Sequence, residues 1–152
     1  MKDISIYFSQ VEIEKNYAEQ QIGAVIQRYS FDSFPEIKEK GIALMYVPEF
    51  RGADLKERNQ NEEKFRSFFY DLNLGLDWQM PLYDLGNILP GKDIADTYFA
   101  VSQVVAELVK ENVVPIIVGG SQDLTMALYR GYAQLEQMVN LCSVDYKLDL
   151  GN

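Results

Sequence analysis

Val114-Pro115-Ile116-Ile117-Val118-Gly119-Gly120-Ser121-Gln122-Asp123 decides the fold. Its first five residues are an apolar run of the kind required by a strand covered on both faces. Pro115 is tolerated there because it stands near the start, where one ladder donor can be spared. Gly119-Gly120 ends the run and Ser121 has the side chain of a helix N-cap. Beyond it Leu124, Ala127, Leu128 and Leu135 keep helical spacing. Immediately upstream, Ile94, Tyr98, Val101, Val104, Val105 and Leu108 lie on one stripe of a helix over residues 94–111, with Asp93 as its N-cap. Helix, strand, tight glycine turn and helix in succession are the signature of βαβ units. The sequence therefore predicts an α/β fold, a mainly parallel sheet flanked by helices.

The same alternation extends back to Gly41. Residues 42–47 read as a strand stopped by Pro48, with a loop through Gly52. Residues 62–74 read as a helix with Phe65, Phe68, Phe69 and Leu72 on its apolar face and Gly75 as its stop. Residues 81–86 are a weaker strand, and Pro90-Gly91 turns the chain. Residues 139–145 are a further buried-strand candidate. In the first forty residues, 4–8 read as a short strand and 18–29 as a helix weakened by Gly23. With no internal repeat and no linker rich in Pro, Gly or Ser, residues 1–152 read as one domain, with βαβ units over 41–152 and a poorly assigned segment over 1–40.

Composition narrows the function. The 152 residues are 47% apolar, with eight Phe and ten Tyr, enough for a substantial core. Fourteen Lys and Arg against 23 Asp and Glu give a net charge of −9, which argues against nucleic acid and anionic membranes as partners. The sequence starts without a signal-peptide pattern and has a single cysteine, Cys142, so a cytoplasmic protein is expected. There is no histidine, which removes Ser-His-Asp and Cys-His catalysis and every histidine-based zinc motif.

In open parallel sheets, ligands bind beyond the C-terminal ends of the strands. At one such end, Gly119-Gly120-Ser121 leads into a helix N-terminus that favours anions, but it lacks the further glycine of a dinucleotide fingerprint and the Gly-Lys-Ser/Thr of a phosphate loop. Its bland reading is a tight turn with a capping serine. At another, Asp145, Lys147 and Asp149 alternate. In an extended chain they point one way, so two carboxylates and an ammonium face one cavity. Oxygen ligands of this kind suit magnesium, calcium or manganese. The alternative is a solvated acidic turn with a local ion pair. Cys142, in an apolar run, is expected to be a buried structural thiol. Trp78 reads equally as a surface anchor or a core plug. Arg51 is a contact for an acidic substrate or, more simply, a solvated loop arginine.

Together, the loop Val47-Pro48-Glu49-Phe50-Arg51-Gly52, the Phe65-Arg66 helix, Pro115-Ile116-Ile117-Val118-Gly119-Gly120 and Asp145-x-x-x-Asp149 resemble the ureohydrolase superfamily of arginase, agmatinase and formiminoglutamase, over residues 41 to the end. The resemblance implies an arginase-like fold, of which this chain would be the N-terminal half. It also implies two manganese ions that generate a hydroxide able to attack an amidine or guanidine carbon. Asp145 and Asp149 match metal ligands of the family. Gln122 stands where the family has a histidine after the glycine pair, and Lys147 where it has one between the aspartates. Glutamine still offers an oxygen to a hard cation. An ammonium about 4 Å from a metal position instead repels it, on the order of 4 kcal/mol per unit charge at an effective dielectric near 20. The resemblance therefore points to a chain that descends from metal-dependent hydrolases of small amidines or guanidines, with manganese lost or weakly held. The catalytic residues stay unassigned. The alternative is a silent relative kept for binding or assembly. Half of a parallel-sheet domain exposes a strand edge, so a homo-oligomer is expected.

Overall fold

The computed structural model describes residues 3–31, 33–53, 62–135 and 138–144. A 3-10 turn, Ser5–Tyr7, leads into β1 (Phe8–Ser9), followed by α1 (Ile22–Val25), β2 (Gln27–Arg28), β3 (Ile42–Tyr46), α2 (Glu62–Asp71), β4 (Leu82–Ile88), α3 (Ile94–Lys110), β5 (Val114–Val118) and α4 (Leu124–Ala133). The strands form one sheet in the order β1-β4-β3-β5, with β2 also on β4. β3 runs parallel to both β4 and β5, and β2 runs parallel to β4; only β1 is antiparallel. The α/β class with a mainly parallel sheet is as the sequence predicts. No helix among the described residues is long and apolar enough to cross a membrane.

β4, the weaker strand of the sequence reading, is the centre of the sheet and pairs with β1, β2 and β3. Two residues hide it from a pattern search. Asp84 places a carboxylate mid-strand, and Gly86 adopts φ +93° where the register with β3 slips between Leu44 and Tyr46. Any Cβ at Gly86 would collide with the Ser9 carbonyl oxygen, so the bulge requires glycine.

α3 covers the sheet with Val101, Val104, Val105 and Leu108, which pack with Ala43, Met45, Val47, Leu85 and Ile88 in the main core. Its start is fixed where the sequence places it, the Asp93 N–H donating to Asp96 Oδ2 at 2.9 Å. Its end closes through Asn112 at φ +58°, with the Val113 N–H donating to the Leu108 carbonyl at 2.9 Å. α4 lies on α3 at Gly131, where a side chain would meet Val105 and the Ser102 carbonyl.

Several expectations are corrected. Residues 18–29 hold one helical turn and then β2, not a continuous helix. α2 stops at Asp71, and its buried positions are Arg66 and Tyr70, while Phe68 and Leu72 are exposed. The buried Asp84 carboxylate beneath the helix claims a cation and a hydroxyl, and this outweighs the phenylalanine stripe. β5 is not covered on both faces: Val114 is 54% and Ile116 40% exposed, and among the described residues β5 pairs with β3 alone. Residues 138–144 form no strand, and Cys142 is exposed, not buried. Trp78 is partly exposed and donates from Nε1 to the Met80 carbonyl at 2.6 Å, so it is no core plug.

Candidate functional site

The C-terminal ends of β3 and β5 lie side by side because the two strands are paired in register from Ile42↔Val114 to Tyr46↔Val118. The loop after β3 carries Glu49, which is buried. Arg51 donates to it three times: the backbone N–H and Nε to Oε1 at 3.0 and 2.9 Å, and Nη2 to Oε2 at 2.5 Å. Thr97 on α3 adds a bond from Oγ1 to Oε2 at 2.9 Å. Hydrogen bonding by Arg51, followed by Thr97, holds the Glu49 carboxyl well below its ordinary 4.5, at about 2, against the opposing effect of burial. Arg51 continues to the carbonyls of Lys92 and Gly91 at 2.8 and 3.1 Å. It therefore clamps this loop onto the start of α3. Arg51 is exposed on its loop, as the solvated-loop reading has it, but its guanidinium is engaged by Glu49 and two carbonyls.

The loop after β5 is locked onto the same Glu49 through its backbone. Gly119 and Gly120 sit at φ +86° and +78°. At Gly120 a Cβ would strike Leu124 and stand 3.0 and 3.1 Å from the carbonyl oxygens of Glu49 and Val47. Ser121 does not cap α4. Its N–H and Oγ both donate to the Glu49 carbonyl, at 2.8 and 3.2 Å, and Asp123 takes the N-cap position without a capping side-chain bond. The Asp123 carboxylate instead accepts from the Tyr98 hydroxyl of α3 and lies against Gly52. Beside this turn is a recess of about 420 Å³ lined by Ile117, Gly119, Gly120, Ser121, Gln122 and Thr125, together with Leu124 and Leu128.

The structure thus brings Gln122 to the strand-end recess, exposed, as the sequence placed it. Asp145, Lys147 and Asp149 lie outside the described residues. Among the described residues no group of three or more Asp, Glu or Cys stands close enough to hold a metal ion. The carboxylates nearest the turn, Glu49 and Asp123, are already engaged by Arg51, Thr97 and Tyr98. Among the described residues, then, this turn offers no set of donors for a manganese pair. Sequence reasoning missed Glu49, Thr97, Tyr98 and Asp123. The one signal available was the acid and base two apart in Glu49-x-Arg51, directly after a strand.

No family profile and no curated protein matches the sequence. The crystal structure of formimidoylglutamase from Bacillus subtilis subsp. subtilis str. 168 matches with a TM-score of 0.62 at 18% sequence identity, over 88% of this chain. The fold is arginase-like. The match spans 44% of that enzyme's chain, so this arginase-like sheet corresponds to less than half of it. At 18% identity the likeness carries the fold alone.

Proposed function

We propose that this chain is an arginase-fold unit that does not hydrolyse amidines by the two-manganese route and that acts through association. The observation that supports the reading is the state of the strand ends. The acidic side chains of Glu49 and Asp123 bind Arg51, Thr97 and Tyr98, and Gln122 stands at the position where the family places a histidine ligand. Asp145 and Asp149 would have to supply the remaining ligands with Lys147 between them, and an ammonium there repels a divalent cation while attracting both carboxylates. Lys147 would then occupy the place of the metal charge. Association is supported by β5, which among the described residues is the edge strand of a mainly parallel sheet and carries the half-exposed Val114 and Ile116, an edge open to pairing with another chain. A second copy of the protein is the partner we favour.

The test is elemental analysis of protein grown with added manganese, beside the Asp145→Asn/Asp149→Asn double variant, with an amidine-hydrolysis assay and light scattering on both. The reading expects no stoichiometric metal, no hydrolysis and a mass above that of one chain. Near-stoichiometric manganese that disappears in the double variant, with hydrolysis of agmatine, arginine or formiminoglutamate, would replace it with the hydrolase reading.

A further inference from the structure

The edge of the sheet opposite β5 carries a second, chemically distinct recess. Residues 10–16 run without regular structure as a strap over the edge where β1 and β2 meet β4. The strap is pinned at both ends. The Val11 N–H donates to the Tyr29 carbonyl at 2.9 Å and Gln10 Nε2 to the Phe31 carbonyl at 2.5 Å, while Lys15 Nζ reaches both oxygens of Asp71 at 2.6 Å. Beneath it is a cavity of about 850 Å³ whose polar lining includes Arg28, Glu12, Glu14, Asn16 and Ser30. That size lies within the range of small-molecule sites.

The charges around this cavity are unequal in what they lack. Lys15 is paired with Asp71 and stands 5.4 Å from the centre of the Tyr17 ring. Arg66, next door, is held by Asp84 and Asn87. Arg28 differs from both. Among the described residues it has no carboxylate partner, and its Nη1 is buried without an acceptor, as is the neighbouring Tyr17 hydroxyl. An unsatisfied buried donor costs stability, more so when it is charged, and an arriving carboxylate would relieve that cost. On the strap, Glu12 and Glu14 line the same cavity as exposed acceptors, which would disfavour a dianion and suit an ammonium. At the mouth, Phe31 is 74% exposed and held at φ +40°, a left-handed conformation that is uncommon for an aromatic residue and recurs at ligand sites.

We infer that this recess binds a small zwitterion of the α-amino acid class, its carboxylate on Arg28 and its ammonium on Glu12 and Glu14, with the side chain against Val11, Ile13 and Phe31. The site lies at the far edge of the sheet from Gly119-Gly120, so it does not depend on whether the strand-end recess is active. In the test, each standard L-amino acid is added at millimolar concentration to the intact protein and followed by thermal shift, and each hit is titrated calorimetrically. The expected result is saturable binding of at least one amino acid, weakened more than about tenfold in Arg28→Met and in Glu12→Gln/Glu14→Gln. The deaminated acid and inorganic phosphate should each bind more than about tenfold more weakly than the hit. The glutamine pair sits on an exposed wall and keeps the test decisive if Arg28→Met fails to fold. No saturable binding by any amino acid, wild-type affinity in a folded variant, or equal affinity for phosphate or the deaminated acid would overturn the inference.

Discussion

The Arg66 guanidinium and the Asp84 carboxylate meet through two parallel hydrogen bonds, Nε to Oδ2 at 2.8 Å and Nη2 to Oδ1 at 3.0 Å, with the side chains 2% and 0% exposed. Tyr70, one helical turn after Arg66, donates its hydroxyl to Asp84 Oδ2 at 2.7 Å, and the Gly86 N–H donates to Oδ1 at 2.9 Å. Burial and the neighbouring carboxylate push the Tyr70 phenol far above its ordinary range, which keeps it protonated as a donor to Asp84. The pair ties α2 to β4.

Asp84→Asn leaves the Arg66 charge buried without its counter-ion and is expected to cost about 3–5 kcal/mol, read as a lowered urea midpoint. The double variant Arg66→Met/Asp84→Leu should lose clearly less than the sum of its two single variants. Additive losses would mean the two side chains are not energetically coupled.

Glu49 gives the protein an acid-sensitive loop. Its carboxyl titrates at about 2 in the fold and near 4.5 when unfolded. A lowered folded value means stability that is fully present above 4.5 and is lost as the pH falls toward 2. Melting temperatures measured across that window should fall in the wild type, with a shallower slope in Glu49→Gln. Parallel slopes would dissociate Glu49 from the acid response.

Gly120→Ala places a methyl group on a backbone at φ +78° against Leu124 and two carbonyl oxygens, and about 1–3 kcal/mol of destabilisation is expected. At Gly75 a Cβ meets nothing within 4 Å, so Gly75→Ala is the matched control and should change the thermal midpoint little. Equal effects in the two variants would remove the steric argument for the glycine turn.

Ile116→Lys puts a charge on the exposed edge strand. It should lower the mass seen by light scattering toward one chain, with an unchanged far-UV spectrum. An unchanged mass would move the association surface away from β5.

What the sequence made readable was whatever local pattern controls. α3 was visible with its cap and its stripe, because Val101, Val104, Val105 and Leu108 all enter the same core. β3 and β5 were visible as unbroken apolar runs. β4 was under-read because its identity rests on pairing with three strands and on a carboxylate satisfied only in three dimensions. The buried face of α2 was misread for the same reason, since Arg66 and Tyr70 are interior only when Asp84 lies beneath them. At the candidate site the glycine pair was legible and Gln122 fell where expected. The clamp through Glu49, Arg51 and Thr97 was not, because it joins a loop to a helix 46 to 48 residues later.

One edge of β4 receives β2 at Tyr83 and Asp84 and β1 at Asn87 and Ile88, so both early strands depend on a template made later in the chain. On a ribosome β2 therefore has no strand to pair with until Tyr83 and Asp84 are synthesised, and β1 none until Asn87 and Ile88 are. Pairing Phe8 with Ile88 closes the longest loop among the described strand pairs, an entropically expensive step. The Arg28 recess is built by the docking of β2 on β4, so it comes into existence only once β4 is in place.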